Sequence, residues 1–231
     1  MTLRLSPTFA AIAAATATVI ALTALPVRAQ AQAVTGDVAA GATKVAMCIG
    51  CHGIQGYQSS FPEVYRVPMI SGQSAAYIAA VLHSYQKGDR KHPSMRAIAG
   101  SMDDQDIADV AAFYQQQGQP EGAAAPELPA AREPSAQVAQ LLQKGACVSC
   151  HGANFSTPID PSYPKIAGQH ADYLYVAMRA YRDNTHATWG RGNPVMAGMV
   201  KQFSNAELKA MAQYIGSLPG GLRTVPQSRF R

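Results

Sequence analysis

Two short motifs contain all four cysteines of this 231-residue chain, Cys48-Ile49-Gly50-Cys51-His52 and Cys147-Val148-Ser149-Cys150-His151. In a Cys-x-x-Cys-His motif, the two thiols add to the two vinyl groups of a haem, and the adjacent imidazole binds the iron. The sequence therefore predicts two covalently bound haem c groups. The predicted attachment residues are Cys48, Cys51, Cys147 and Cys150, and the predicted proximal iron ligands are His52 and His151.

A zinc site is the alternative to haem at these residues, because two Cys-x-x-Cys pairs can form one four-thiolate site or two Cys-Cys-His sites. The second pair of a zinc ribbon usually follows within about 20 residues, whereas here it begins at residue 147. Neither a zinc ribbon nor a set of disulfides explains the histidine that follows each pair. The spacing favours haem.

Residues 1–33 are predicted to be a secretory signal peptide. A charge-free apolar run from Pro7 to Pro26 follows Arg4, and small residues then recur at Ala29, Ala31 and Ala33. The run reaches the roughly 18 residues that can span a membrane, so a retained anchor is the alternative. Its alanine-rich composition and the Ala-x-Ala spacing favour cleavage after Ala31 or Ala33. The predicted location of the mature protein is the periplasm.

The formal charge of the precursor is misleading about partners. The chain has 19 Lys and Arg against 14 Asp and Glu, and removal of Arg4 and Arg28 leaves 17 against 14, a net charge of +3. The propionates of two reduced haems would add about −4, for a total near −1. We therefore expect no nucleic-acid partner, although a basic face toward an acidic redox protein is compatible with this balance.

The mature chain is a tandem repeat. The first haem motif is followed by Pro68-Met69-Ile70-Ser71-Gly72-Gln73 and the second by Pro164-Lys165-Ile166-Ala167-Gly168-Gln169. We predict an N-terminal domain over 34–117, a linker over 118–135 that contains Pro120, Pro126, Pro129 and Pro134, and a C-terminal domain over 136–231. Covalent haem compensates for the limited core that a domain of about 90 residues can build.

Each repeat is predicted to be all-α. An alanine-rich helix from Val38 to Met47 leads into the first motif. Apolar residues recur at helical spacing at Tyr77, Ile78, Val81, Leu82 and Tyr85, and again at Tyr173, Leu174, Val176, Ala177 and Tyr181. The terminal helices begin at the caps Asp103 and Ser204, the latter in a capping box with Glu207. We find no alternating pattern that predicts a strand.

The sixth iron position distinguishes an electron carrier from an enzyme. A methionine thioether at that position is typical of electron-transfer cytochromes, in which it raises the reduction potential. Met95 and Met196 each lie eight residues before the cap of the terminal helix, after a proline-containing loop. Met102 and Met199 have no counterpart in the other repeat. We therefore predict Met95 and Met196 as the distal ligands.

Over nearly all of the mature sequence, these motifs resemble the dihaem cytochrome c4 family. The resemblance rests on Cys-x-x-Cys-His-Gly, the Pro-x-Ile-x-Gly-Gln segment, the Tyr-bearing helix, the methionine loop and the helix over 104–114. It implies two class I cytochrome c domains related by a pseudo-twofold axis, with haems close enough for rapid internal electron transfer. It also implies that the carbonyls of Pro68 and Pro164 accept the Nδ1 proton of the proximal histidines.

The two haems are expected to differ in solvent access and potential, because the second methionine loop, Asp183 to Pro194, is longer and contains Trp189. The other histidines, His83, His92, His170 and His186, are assigned to surface or helix positions. Basic residues flank both loops: Lys87, Arg90, Lys91 and Arg96, then Arg179, Arg182, Arg191 and Lys201. They are interpreted as a solvated face, or as partners of propionates or of an acidic protein.

Three functions are compatible with this sequence. The preferred hypothesis is an electron carrier, not an enzyme, that takes electrons from a quinol-oxidising complex and passes them toward a terminal oxidase, with peripheral membrane association as an option. The alternative is the electron-accepting subunit of a periplasmic dehydrogenase. A dihaem peroxidase would need an open sixth position, which the paired methionines argue against.

Overall fold

A computed structural model describes residues 34–117, 119 and 130–226. The predicted signal peptide and residues 118 and 120–129 of the predicted linker lie outside the described residues, so both remain predictions. Within the described part of the chain, no helix is both long enough and apolar enough to cross a membrane.

The two repeats contain the same succession of helices. The elements of the first repeat are α1 (Val38–Lys44), α2 (Ala46–His52), β1 (Gln58–Ser59), β2 (Tyr65–Arg66), α3 (Ala75–Lys87), β3 (Arg90–Lys91), α4 (Pro93–Gly100) and α5 (Asp104–Gln117). Those of the second are α6 (Ala136–Lys144), α7 (Cys147–His151), α8 (Ala171–Arg182), β4 (Gly190–Arg191), α9 (Pro194–Val200) and α10 (Asn205–Ser217). The helix-dominated architecture agrees with the predicted all-α class.

The N-terminal helix differs from its prediction. Instead of one helix from Val38 to Met47, α1 ends at Lys44, and α2 begins after Val45 and contains the whole first haem motif. At the end of α1, the Lys44 ammonium lies 2.6 Å from the Asp109 carboxylate of α5. The backbone N–H of Asp37 also donates to Asp109, over 2.8 Å. Both ends of α1 are thus attached to the terminal helix.

The described residues also include two short antiparallel strand pairs, which the sequence did not predict. β1 pairs with β2 inside the first repeat, and β3 pairs with β4 between the repeats. In the second pair, Arg90 lies opposite Arg191. A strand of two residues is too short for the alternation by which strands are recognised.

Each repeat builds its own apolar core. In the first, Ile107 of α5 is completely buried, and in the second Leu208 of α10 is completely buried. The predicted caps are present at the start of these helices. The Asp106 N–H donates to the Asp103 carboxylate over 2.7 Å, and Ser204 forms its capping box. The two separate apolar cores agree with two small domains.

Polar contacts connect the repeats at the periphery of their interface. The Arg66 guanidinium lies 2.9 Å from the Asp172 carboxylate, and that of Arg179 lies 2.7 Å from Glu63. The C-terminal tail crosses to the first repeat, where the Arg223 N–H donates to the Ser71 carbonyl over 3.0 Å.

Candidate haem sites

A continuous cavity of about 870 Å³ extends through both repeats. Its wall includes all eight residues that the sequence singled out: Cys48, Cys51, His52, Met95, Cys147, Cys150, His151 and Met196. The four cysteines form no disulfide. The structure therefore brings each predicted set of thiols, imidazole and thioether to one common space.

The helical conformation of the motif explains its spacing. In α2, Cys51 follows Cys48 by three residues and His52 follows it by four, so all three side chains lie on one helix face. The second motif forms the separate short helix α7. A single helical turn thus presents two thiols and one imidazole to the same cavity wall.

Each motif histidine is held by a proline carbonyl, as the family resemblance implied. The Nδ1 atom of His52 lies 2.8 Å from the Pro68 oxygen, and that of His151 lies 3.1 Å from the Pro164 oxygen. Because a carbonyl only accepts, Nδ1 must carry the proton in both rings. Burial lowers the pKa of both histidines, although these hydrogen bonds oppose it. A neutral imidazole with a free Nε2 lone pair results, which is the form that binds a metal.

Met95 and Met196 occupy equivalent helix positions. Each is the third residue of a helix that begins with proline, α4 and α9 respectively. The Met95 N–H donates to the His92 ring over 3.4 Å, and the Met196 N–H donates to the Asn193 side chain over 3.0 Å. His92 therefore has a capping role, in agreement with its assignment to a helix position. The matched register seen in the sequence has a matched local structure.

Met102 and Met199 also lie on the cavity wall. Proximity to the cavity therefore does not select the distal ligand. Met199 is 39% exposed, and Met102 lies between α4 and α5 rather than at the third position of a helix. The equivalence of Met95 and Met196 remains the feature that distinguishes them.

Two arginines meet on one tyrosine at the interface, and both line the cavity. Arg90 donates to the Tyr173 hydroxyl over 2.9 Å, and Arg191 donates to the same oxygen over 3.1 Å. Burial alone raises the pKa of Tyr173, but the two guanidinium groups lower it to about 8. Arg90 is only 7% exposed, so its interpretation as part of a solvated face is wrong.

No carboxylate of the described residues forms a salt bridge with Arg90 or Arg191. The buried charge of Arg90 beside the half-buried charge of Arg191 is costly without an anion. Haem propionates are carboxylates and would supply the missing charge, so this cluster fits the cofactor that the motifs predict. The sequence offers pairing with propionates as one option for both arginines, but it assigns Tyr173 to helix packing and does not predict that the three residues meet.

Three polar atoms on the cavity wall are buried but unpaired within the described residues. Arg90 Nε, His92 Nε2 and the Tyr114 hydroxyl are buried without a hydrogen-bond partner in the described structure. Native proteins rarely leave such atoms unpaired. All three residues line the cavity.

Two helical domains, each with a Cys-x-x-Cys-His helix and a carbonyl-held histidine beside a common cavity, define a c-type cytochrome with two haems. The family model for cytochrome c matches residues 38–117 and again 135–219. Cytochrome c4 of Pseudomonas aeruginosa is 30% identical over 184 residues, which cover 79% of this chain and 89% of the relative. The chain belongs to the dihaem cytochrome c4 family.

Two further relatives agree with this membership. A thiosulfate dehydrogenase electron acceptor of Stutzerimonas stutzeri is 30% identical, over 82% of this chain and 88% of the relative. The crystal structure of reduced cytochrome c4 from Pseudomonas stutzeri matches with a TM-score of 0.59 and 27% identity, and covers 80% of this chain and all of that one. The protein is thus an electron-transfer cytochrome with two covalent haem c groups, each of which supplies a one-electron iron couple.

Proposed function

We propose that this protein is a periplasmic electron carrier, not an enzyme, that receives electrons from a quinol-oxidising complex and delivers them toward a terminal oxidase. His52 and Met95 would bind one iron, and His151 and Met196 the other. Cys48 and Cys51 would attach the first haem, and Cys147 and Cys150 the second. Two sites closed on both sides of the iron suit electron transfer, because they leave no position for a substrate.

One observation carries this proposal. In both repeats the third residue of a proline-initiated helix is a methionine, and a side-chain cap fixes its backbone N–H. The same methionine shares a cavity wall with the carbonyl-held histidine of its repeat. Repetition of this arrangement in two cores is the reason to expect two equivalent ligand pairs.

Redox titration and ferric absorption spectra of methionine variants test the ligand assignment. Met95→Ala and Met196→Ala should each convert one haem from low spin to high spin and lower its potential, because the thioether favours the ferrous state. Met102→Ala and Met199→Ala are the matched controls, and both should retain two low-spin haems. Unchanged spectra in Met95→Ala and Met196→Ala would refute the assignment. A high-spin haem in the resting wild-type protein would instead indicate a peroxidase-like enzyme.

The second candidate function is the electron-accepting subunit of a periplasmic dehydrogenase. The similarity to a thiosulfate dehydrogenase electron acceptor favours this class. Stable co-purification with a dehydrogenase, and reduction by that enzyme faster than by a quinol-oxidising complex, would support it. Reduction by the quinol-oxidising complex alone supports the carrier. A rate that falls with added salt would indicate that exposed charges guide either encounter.

The periplasmic location depends on the predicted signal peptide. N-terminal sequencing of the mature protein from a periplasmic fraction should begin at Gln32 or Val34, the residues after the two predicted cleavage positions. A protein that keeps residues 1–33 and sediments with membranes would show that the segment is an anchor.

A further inference from the structure

The Pro-x-Ile-x-Gly-Gln segments form the same turn in both repeats. The Gln73 N–H donates to the Ile70 carbonyl over 3.1 Å, and the Gln169 N–H donates to the Ile166 carbonyl over 3.2 Å. The glycine before each glutamine has a positive φ, 86° and 72°. A turn with positive φ at its third position favours glycine there. The motif thus fixes the direction in which each glutamine leaves its own repeat.

Both glutamine side chains cross to the other repeat. The Gln169 amide donates to the Met69 carbonyl over 2.9 Å and accepts from the Met69 N–H over 3.1 Å. In the reverse direction, the Gln73 amide donates to the Lys165 carbonyl over 2.9 Å and accepts from the Lys165 N–H over 3.0 Å. Each glutamine therefore binds one backbone residue of the partner repeat through two hydrogen bonds.

The residues that receive these bonds are adjacent to the histidine contacts. Met69 follows Pro68, whose carbonyl holds His52, and Lys165 follows Pro164, whose carbonyl holds His151. A carbonyl bond to the far nitrogen of a metal-bound histidine fixes the ring and raises its basicity. The N–H that binds the glutamine oxygen therefore belongs to the same peptide group as the carbonyl that holds the histidine of the other repeat.

The glutamines are rigid enough for this role. Both are 4% exposed. Each side-chain oxygen accepts a second bond, from the Ser74 N–H in one case and the His170 N–H in the other, both over 3.0 Å. Two backbone donors on one atom identify that atom as the oxygen and define the orientation of the amide. Buried amides that are bonded through both the oxygen and the nitrogen favour one arrangement.

We propose that Gln73 and Gln169 are crossed positioning residues, each of which holds the proximal histidine loop of the opposite repeat. The proposal rests on iron ligation by His52 and His151. It makes the potential of each haem depend on a residue of the other domain. Loosening the loop should weaken the carbonyl bond, make the imidazole less basic, and so destabilise the ferric state.

The test uses the haem-loaded protein with Gln169→Met or Gln73→Met, which keep an unbranched side chain of similar length. Redox titration followed by NMR gives a separate potential for each haem. Gln169→Met should raise the potential of the haem bound at His52, with a change of about threefold in its ferric/ferrous equilibrium, where tenfold corresponds to about 59 mV. The haem bound at His151 should shift less. Gln73→Met should give the opposite pattern.

Amide hydrogen exchange provides a second readout that does not depend on the potentials. Gln169→Met should accelerate exchange of the Met69 N–H and leave that of Lys165 unchanged. Gln105→Leu is the control, because Gln105 bonds to Asp109 and Thr35 inside the first repeat. Gln105→Leu should leave the exchange rates of both the Met69 N–H and the Lys165 N–H unchanged.

The proposal is overturned if each glutamine variant shifts mainly the haem of its own repeat, shifts both equally, or shifts neither more than the control does. Two low-spin haems in such a protein would show that the ligand assignment still holds. Loss of a low-spin haem in His52→Ala or His151→Ala, by contrast, tests the ligation itself.

Discussion

Replacement of Arg90 by leucine tests whether haem propionates balance the charges of the buried Arg90 and the half-buried Arg191. Arg90 Nη2 and Arg191 Nη2 lie 2.9 Å and 3.1 Å from the Tyr173 oxygen, so the two nitrogens are at most about 6 Å apart. Two unit charges at about 6 Å repel by about 3 kcal/mol at an effective dielectric constant near 20. The pair is therefore unfavourable unless an anion lies beside it.

The presence and the absence of propionates predict changes of opposite sign in the free energy of unfolding. Without an anion, Arg90→Leu would remove this repulsion, and the free energy of unfolding would rise or stay level. With propionates in place, the substitution leaves a buried carboxylate without its partner, which typically costs about 3–5 kcal/mol. We expect this decrease in the free energy of unfolding. We also expect a lower potential for the adjacent haem, because removal of a positive charge favours the ferric state.

Guanidinium chloride unfolding of the haem-loaded variant, together with redox titration, provides the assay. Arg66→Leu is the matched control at the same interface, where the arginine side chain is 41% exposed and pairs with Asp172. Exposed ion pairs contribute at most about 1 kcal/mol, so the control should stay near the wild type. An Arg90→Leu protein as stable as the wild type, with unchanged potentials, would refute the reasoning.

Three further predictions follow from single contacts. The Asp37 N–H and Lys44 lower the pKa of Asp109 to about 2. Its contribution to the free energy of unfolding is therefore complete above the unfolded-state pKa of ~4 and is lost as the pH falls from ~4 to about 2. Acid unfolding of Asp109→Asn, followed by circular dichroism, should therefore be less pH-dependent there. His92→Asn, which copies the cap of the second repeat, should change the free energy of unfolding by less than about 0.5 kcal/mol, whereas His92→Leu should cost about 1 kcal/mol. Leu208→Ala should cost about 2–5 kcal/mol in the same unfolding assay, because Leu208 is completely buried.

Each of these three has an outcome that would contradict it. Equal acid sensitivity of Asp109→Asn and the wild type would show that the carboxylate contributes no pH-dependent stability. Equal stability of the two His92 variants would show that the side-chain cap has no effect. A cost below about 1 kcal/mol for Leu208→Ala would mean that the core around α10 readily closes the space.

Much of the fold was predictable because its signals are local. The helices α3, α5, α8 and α10 follow from apolar residues at helical spacing. The starts of α5 and α10 also follow from their caps, Asp103 and Ser204. The break at Val45 is not indicated by the alanine-rich pattern, and the contacts of Lys44 and Asp37 with Asp109, 65 and 72 residues away, cannot be read from a local pattern. The strand pair between Arg90 and Arg191 was missed for the same reason.

The sequence by itself indicated two haems, and it singled out the cysteines, histidines and methionines that we propose as their attachment residues and ligands. These features are encoded in neighbouring residues whose spacing already equals a helical turn. Only the tertiary structure decided that Arg90 and Arg191 meet on Tyr173, and that the side chains of Gln73 and Gln169 each bind the backbone of the opposite repeat. In these two arrangements, the contacts that cross between the repeats join residues 83 to 100 positions apart. A local pattern carries no information about which of two similar repeats supplies the partner of a side chain.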